Sequence, residues 1–253
     1  MKFKRFGMAA IALMLAISLA SCGSSQVNDV ATDVDQAGAA APAVAAEASL
    51  PPGADRLPQL EGKATVVLTV NGKEIAIEVD GESAPITAGN FVDLVQRKVY
   101  DGTVFHRVVR QPTPFVVQGG DPQSKDPNVP ANALGTGSFR DPDTGAARLI
   151  PLEILPEGAD VPVYSATFNS PAPALPHTRG AVAMARSPAP DSASAQFYFA
   201  LADLAPLDGS YAVFGYVTGD GMDVVDEIQQ GDSIESAVVT DGLDNLKQPG
   251  SAE

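Results

Sequence analysis

Phe105-His106-Arg107-Val108-Val109-Arg110-Gln111-Pro112-Thr113-Pro114-Phe115-Val116-Val117-Gln118-Gly119-Gly120-Asp121 is the stretch that decides how this chain folds. Val104–Val109 and Phe115–Gln118 are rich in β-branched and aromatic residues and predict two short strands. Between them stands Gln111-Pro112-Thr113-Pro114, which lengthens the loop. Gly119-Gly120-Asp121 predicts a tight turn beside the second strand. No Gly-Lys-Ser/Thr follows those glycines, so they do not make a phosphate loop. Taken alone, Arg107 reads as half of a surface salt bridge.

Working outward, Ala64–Val70 and Lys73–Val79 alternate apolar and polar residues around Asn71-Gly72. Both central positions of a type I′ turn need positive φ, which Asn and Gly accept, so this pattern predicts a β-hairpin. Pro85 suits the first turn of a helix, where a missing N–H costs nothing, and Phe91, Leu94 and Val95 then share a face. Arg148–Leu152, Ala181–Ala185, Gln196–Leu201, Ala212–Val217 and Glu235–Thr240 predict further strands. Met222–Gln230 predicts a second helix burying Val224, Val225 and Ile228. About eight strands, two helices and no β-α-β alternation point to a mainly β fold, a closed eight-stranded antiparallel barrel capped by the two helices. Residues 122–180 hold ten prolines and only brief apolar pieces such as Leu149–Leu155. They predict a long ordered loop excursion inserted in the domain.

At the N-terminus, Lys2, Lys4 and Arg5 precede an apolar run from Met8 to Leu19. The run is too short for a bilayer span of about 20 residues and suits the core of a secretory signal. Leu19-Ala20-Ser21-Cys22 at its end resembles a bacterial lipobox, and Cys22 is the one cysteine of the chain. The resemblance implies cleavage before Cys22 and lipidation there, with palmitate among the acyl groups. The mature chain would then be exported and lipid-anchored to a bacterial membrane, facing the periplasm or the cell exterior. An ordinary signal peptide cleaved nearby, or an uncleaved anchor, is the alternative. Residues 1–21 thus read as signal peptide and 22–60 as a lipidated flexible tether, too poor in large apolar residues to offset the entropy of ordering. Residues 61–241 read as the folded domain and 242–253 as a loose tail. Loss of the three basic residues in the signal takes the formal charge from −15 to −18. So acidic a chain is no nucleic-acid binder, because phosphate needs cations. Its contact with an anionic membrane must come from the N-terminal lipid only.

Further short motifs follow one another in order: Ala84-Pro85-Ile86-Thr87-Ala88-Gly89-Asn90-Phe91, then the quoted stretch, then Gly180-Ala181-Val182-Ala183-Met184-Ala185. Ala195-Gln196-Phe197-Tyr198-Phe199, Leu207-Asp208-Gly209 and Val213-Phe214-Gly215 complete the series. From about Val66 to Val239 the chain resembles the cyclophilin-type peptidyl-prolyl cis–trans isomerases, whose signature includes the FHR and F-x-x-QGGD parts of the quoted stretch. The resemblance implies an isomerase of X-Pro bonds in unfolded or flexible proline-containing polypeptides of exported proteins. The chain is expected to be monomeric, with no cofactor and no metal.

The chemistry suits these residue types. Rotation about an X-Pro bond meets a barrier of roughly 18–20 kcal/mol from amide resonance, and no covalent step is needed to lower it. In the twisted state the proline nitrogen becomes pyramidal and gains a lone pair, which a rigid, permanently charged guanidinium can hold. The resemblance implies that Arg107 has this catalytic role. It also implies Phe115, Val116 and Tyr198 as pocket walls, with Met184 and Leu207 beneath or beside the proline ring. Gln118 and Gln196 would hold the substrate backbone or orient Arg107. Ala185 and Arg186 would line the edge and Tyr211 the rim. Core packing is the alternative for Phe115, Met184 and Leu207. Tyr198 stands where the family commonly has Phe, Pro206 where it often has Trp or Phe, Tyr211 where it often has His, and Arg186 where it often has Asn. The family's tryptophan is implicated in binding cyclosporin-type inhibitors, so Pro206 implies weak binding of them.

His106 and His177, without a cysteine pair, do not make a zinc site, and no G-x-S-x-G elbow supports a serine hydrolase. Two rivals to the isomerase remain open on sequence. One is a non-catalytic module that docks a proline-containing partner, with residues 122–180 setting specificity. The other is a chaperone whose isomerase activity is incidental.

Overall fold

A computed structural model describes residues 50–142 and 144–250. Cys22, the signal and most of the expected tether lie outside the described residues. In chain order the elements are β1 (Gln59–Leu60), β2 (Lys63–Val70), β3 (Lys73–Asp80), α1 (Pro85–Gln96), β4 (Arg107–Val109) and β5 (Val116–Gly119). They continue with β6 (Glu153–Ile154), β7 (Val163–Tyr164), β8 (Ala181–Met184), β9 (Phe197–Ala200), β10 (Val213–Val217), α2 (Gly221–Glu227), β11 (Ile234–Asp241) and β12 (Leu246–Lys247).

Asn71 and Gly72 take φ of 51° and 70°, as a type I′ turn requires. β2 and β3 therefore pair without a slip from Lys63–Asp80 to Val70–Lys73. Their alternation buries Val66, Leu68, Val70, Ile75, Ile77 and Val79 on one face. Eight strands form one antiparallel sheet in the order β11-β2-β3-β10-β8-β9-β5-β4. It curls around a cluster of rings, Phe91, Tyr100, Phe105, Phe197, Phe199 and Phe214, with neighbouring centroids 4.9 to 6.4 Å apart. α1 lies over this core, and every residue from Ile86 to Val95 is buried, not just the expected stripe.

The barrel is open rather than closed. The edge strands β11 and β4 form no ladder together. Across the seam stand one isolated bridge, Val104 to Ser233, and loop hydrogen bonds such as Phe105 N–H to the Asp232 carbonyl at 2.8 Å. The reason is length: β4 has three residues, ended by the proline-bearing loop, and cannot run along the eight of β11. Arg148–Leu152 is likewise no strand. It makes only the bridge Ile150 to Ala193, because the Leu152 N–H that would extend a ladder goes instead to Asp191 Oδ1 at 3.2 Å. α2 stops at Glu227, short of the expected Gln230, because the Asp232 carboxylate accepts the Gln229 N–H and turns the chain.

Within residues 122–180, β6 and β7 pair with each other. Glu153 on β6 is fully buried, and its carboxylate accepts the N–H groups of Ile86 and Thr87 at 3.1 and 2.7 Å. These are orphan donors of the first turn of α1, so β6 supplies the cap that Ala84 lacks. Both expected flanks of the domain also need correction. Ala54 and Leu60 are buried, so the chain joins the core before residue 61. The tail is not loose at 242–248: β12 pairs with β1, and Gln248 Nε2 donates to Asp93 Oδ1 at 2.9 Å.

Candidate active site

Side chains alternate across a strand, so register decides which residues meet on a face. One row of cross-strand partners runs Arg107, Gln118, Tyr198, Ala183, Val213 over β4, β5, β9, β8 and β10. The alternate residues Val108, Val117, Phe199 and Val182 pack in the central core. Tyr198, Ala183 and Val213 belong instead to a second apolar cluster, with Val116, Leu204, Phe115, Ala185, Leu207 and Tyr211. The row therefore lies on the outer face of the sheet, beneath the 204–211 loop. Met184, expected beside the proline ring, is a correction. Its register partner is Phe197, and at 1 % exposure it faces the core, one residue out of phase with the row.

A hydrogen-bond chain crosses this face. Arg107 Nη1 donates to Gln118 Oε1 at 3.3 Å, and Gln118 Nε2 donates to Gln196 Oε1 at 3.3 Å. Gln196 Nε2 then donates to the Gly137 carbonyl at 2.8 Å. The N–H groups of Gly135 and Gly137 donate to Asp121 Oδ2 at 2.6 and 3.2 Å. Asp121, at the end of the quoted stretch, is wholly buried and shapes the loop that holds Gln196. Gly137 is obligatory there, since a Cβ would stand 2.0 Å from Asp121 Oδ1.

Arg107 is exposed, with its guanidinium carbon 5.5 Å from the Phe115 ring centroid. No carboxylate lies within ion-pair reach of it among the described residues, so the salt-bridge reading of this arginine fails. Arg186 donates through Nε and Nη2 to the Ser210 carbonyl at 3.0 and 2.6 Å, and lies over the Tyr211 ring at 4.7 Å. A hollow of about 100 Å³ adjoins the row, lined among others by Gln118, Ala185, Arg186 and Gln196. Pro206 is exposed and borders a separate hollow with Phe168 and Pro171.

Sequence reasoning missed His177. It is 1 % exposed, with Nδ1 2.8 Å from Asp208 Oδ1 and Nε2 2.9 Å from the Tyr198 hydroxyl. Burial pushes its imidazole below the ordinary range, and Asp208 pulls partly back. Burial also pushes the Tyr198 phenol up, so that hydroxyl keeps its proton.

Residues 65–247 match the family model described as cyclophilin type peptidyl-prolyl cis-trans isomerase/CLD. A protein of Synechocystis sp. named as a thylakoid lumen peptidyl-prolyl cis-trans isomerase is 45% identical over 204 residues, covering 75% of this chain and 50% of its own length. A chloroplastic peptidyl-prolyl cis-trans isomerase of Arabidopsis thaliana is 40% identical over 215 residues, with 76% and 46% covered. This chain thus spans about half the length of those two relatives. A peptidyl-prolyl cis-trans isomerase of Helicobacter pylori is 30% identical over 186 residues, with 73% of this chain and 92% of that protein covered. The crystal structure of a cyclophilin type isomerase of Cryptosporidium parvum has the same fold, with a TM-score of 0.53 at 21% identity over 71% of this chain and 98% of that one. The sheet order, the motif-bearing strands β4 and β5 and these matches lead to one conclusion: the chain belongs to the cyclophilin type peptidyl-prolyl cis-trans isomerase family.

Proposed function

We propose that this chain is a peptidyl-prolyl cis–trans isomerase of exported, proline-containing polypeptides, and that Arg107 carries the catalysis. The observation that supports it most is the outward row Arg107–Gln118–Tyr198 beside Phe115, with no carboxylate engaging the arginine among the described residues. The proline ring packs among Phe115, Val116, Tyr198, Leu207 and Tyr211. Gln118 accepts from Arg107 and so aims the guanidinium, while Gln196, held on Gly137, fixes Gln118 in turn. As the X-Pro bond twists, the nitrogen lone pair forms where the remaining guanidinium donors point. The interaction exists only in the twisted state, and so it lowers the barrier instead of merely tightening binding. A second Cryptosporidium parvum structure of this fold was determined in the presence of the dipeptide Ala-Pro, a ligand of the class proposed for the pocket.

Export is supported by the signal-like start, and by the lumenal and chloroplastic names of two relatives. The same reading makes Cys22 the anchor, with substrates met on the outer side of the membrane. Exchange of a proline tetrapeptide tests the activity. Arg107→Ala should slow catalysis about 100-fold, the scale of removing one preorganised donor. No acceleration by the wild-type protein, or an unchanged rate for the variant, would sink the mechanism. For the anchor, Cys22→Ser should release the protein from membranes, and continued partitioning would count against lipidation.

A further inference from the structure

We infer that His177 and Asp208 are positioning residues of the proline pocket, which hold the Tyr198 ring in place through its hydroxyl. This inference rests on the isomerase reading above. Tyr198 occupies the middle of the outward row, between Gln118 and Ala183, and is 5 % exposed. A buried phenol needs a partner. The partner is Nε2 of His177, at 2.9 Å, with the two rings stacked at 16° and 6.1 Å.

The direction of each hydrogen bond follows from Asp208. One carboxylate oxygen, Oδ1, lies 2.8 Å from both the backbone nitrogen and Nδ1 of His177. A carboxylate only accepts, so Nδ1 carries the hydrogen; burial disfavours the charged ring, and the neutral imidazole presents Nε2 as an acceptor. The Tyr198 O–H therefore donates to Nε2. The backbone of His177 is pinned as well, its carbonyl accepting the Leu204 N–H at 2.7 Å. On the other side Tyr211 meets Tyr198 edge-on at 6.2 Å and 80°, and Arg186 lies over Tyr211.

The aromatic wall of the pocket is thus clamped from both sides. His177 acts only through Tyr198. A fixed wall binds the ground state and the twisted state alike, so the effect should fall on KM rather than kcat. A phenylalanine at position 198 would have no use for the clamp.

The test compares wild type, His177→Leu, Tyr198→Phe and the double variant in tetrapeptide exchange, alongside ¹⁵N NMR of the histidine rings. His177→Leu should raise KM about five- to ten-fold, the scale of one lost hydrogen bond, with kcat nearly unchanged. Added to Tyr198→Phe, the same substitution should leave KM where Tyr198→Phe alone puts it. An equal rise in both backgrounds, or none in either, overturns the inference. NMR decides the matter even if the leucine variant does not fold or the wild-type protein does not isomerise. It should show neutral His177 with the proton on Nδ1 and an Nε2 resonance that moves on Tyr198→Phe. The opposite tautomer, or an unmoved Nε2, overturns the latch independently of the isomerase reading.

Discussion

At the scale of single residues, the site depends on who sits on which side of a strand. Arg107, Phe115, Gln118 and Tyr198 lie close together, and the sequence could group them because their motifs carry type and order together. Met184 could not. Its motif fixes a strand but not the phase of that strand, and a one-residue step exchanges core for groove. His177 was hidden for another reason, since its partners Tyr198 and Asp208 lie 21 and 31 residues away with no local pattern linking them. Asp121 and Gly137 form a similar distant pair. Gly137→Ala should push the loop off Asp121 and take the acceptor from Gln196. We expect kcat/KM to fall about ten-fold and stability by about 1–3 kcal/mol, readable by peptide exchange and urea titration.

Elements were legible in proportion to their length. The β2–β3 hairpin announced itself through Asn71-Gly72 and two long alternating runs. β1, β6, β7 and β12 are two-residue strands, too short to show any period. Yet these pieces tie the molecule together, and the Glu153 cap on α1 is a case in point. Glu153→Ala leaves two helix N–H groups unpaired in the interior. It should cost about 2–4 kcal/mol by denaturant unfolding, well above a typical surface substitution. Asp93 on α1 is a second tie, accepting from Arg97 Nε at 2.8 Å, Arg148 Nη1 at 2.6 Å and Gln248 Nε2 at 2.9 Å. Ending the chain before Leu246 removes one of these bonds and the β12 pairing. It should lower stability by about 1–3 kcal/mol while leaving the outward row intact.

The whole molecule should lose stability in acid for nameable reasons. The chain has two histidines, His106 and His177, and burial pushes both below their ordinary value. A group whose folded pKa is depressed stabilises the fold above its unfolded value, about 6.5 for histidine, and loses that contribution as pH falls through the folded value. Asp93 extends the loss to lower pH. Burial pushes its carboxyl up, but bonds from Arg148, Gln248 and Arg97 more than offset this. Burial of Glu153 raises its carboxyl and works in the opposite direction. A difference measurement isolates one group from the rest. The stability gap between wild type and His177→Gln should narrow as pH is lowered from about 7.5 to about 5, because only the wild type carries the imidazole facing Asp208 and Tyr198. A gap that widens would mean that the imidazole is charged in the fold at neutral pH.

The pairing of Gln59–Leu60 with Leu246–Lys247 sets the two ends of the domain side by side. A short linker could therefore join them, and new ends could be opened at the exposed turn around Gly158, far from any long strand in the chain. Such a circular permutant should keep the Arg107 row. By the same geometry, the domain could be spliced into a surface loop of a host protein without stretching either partner.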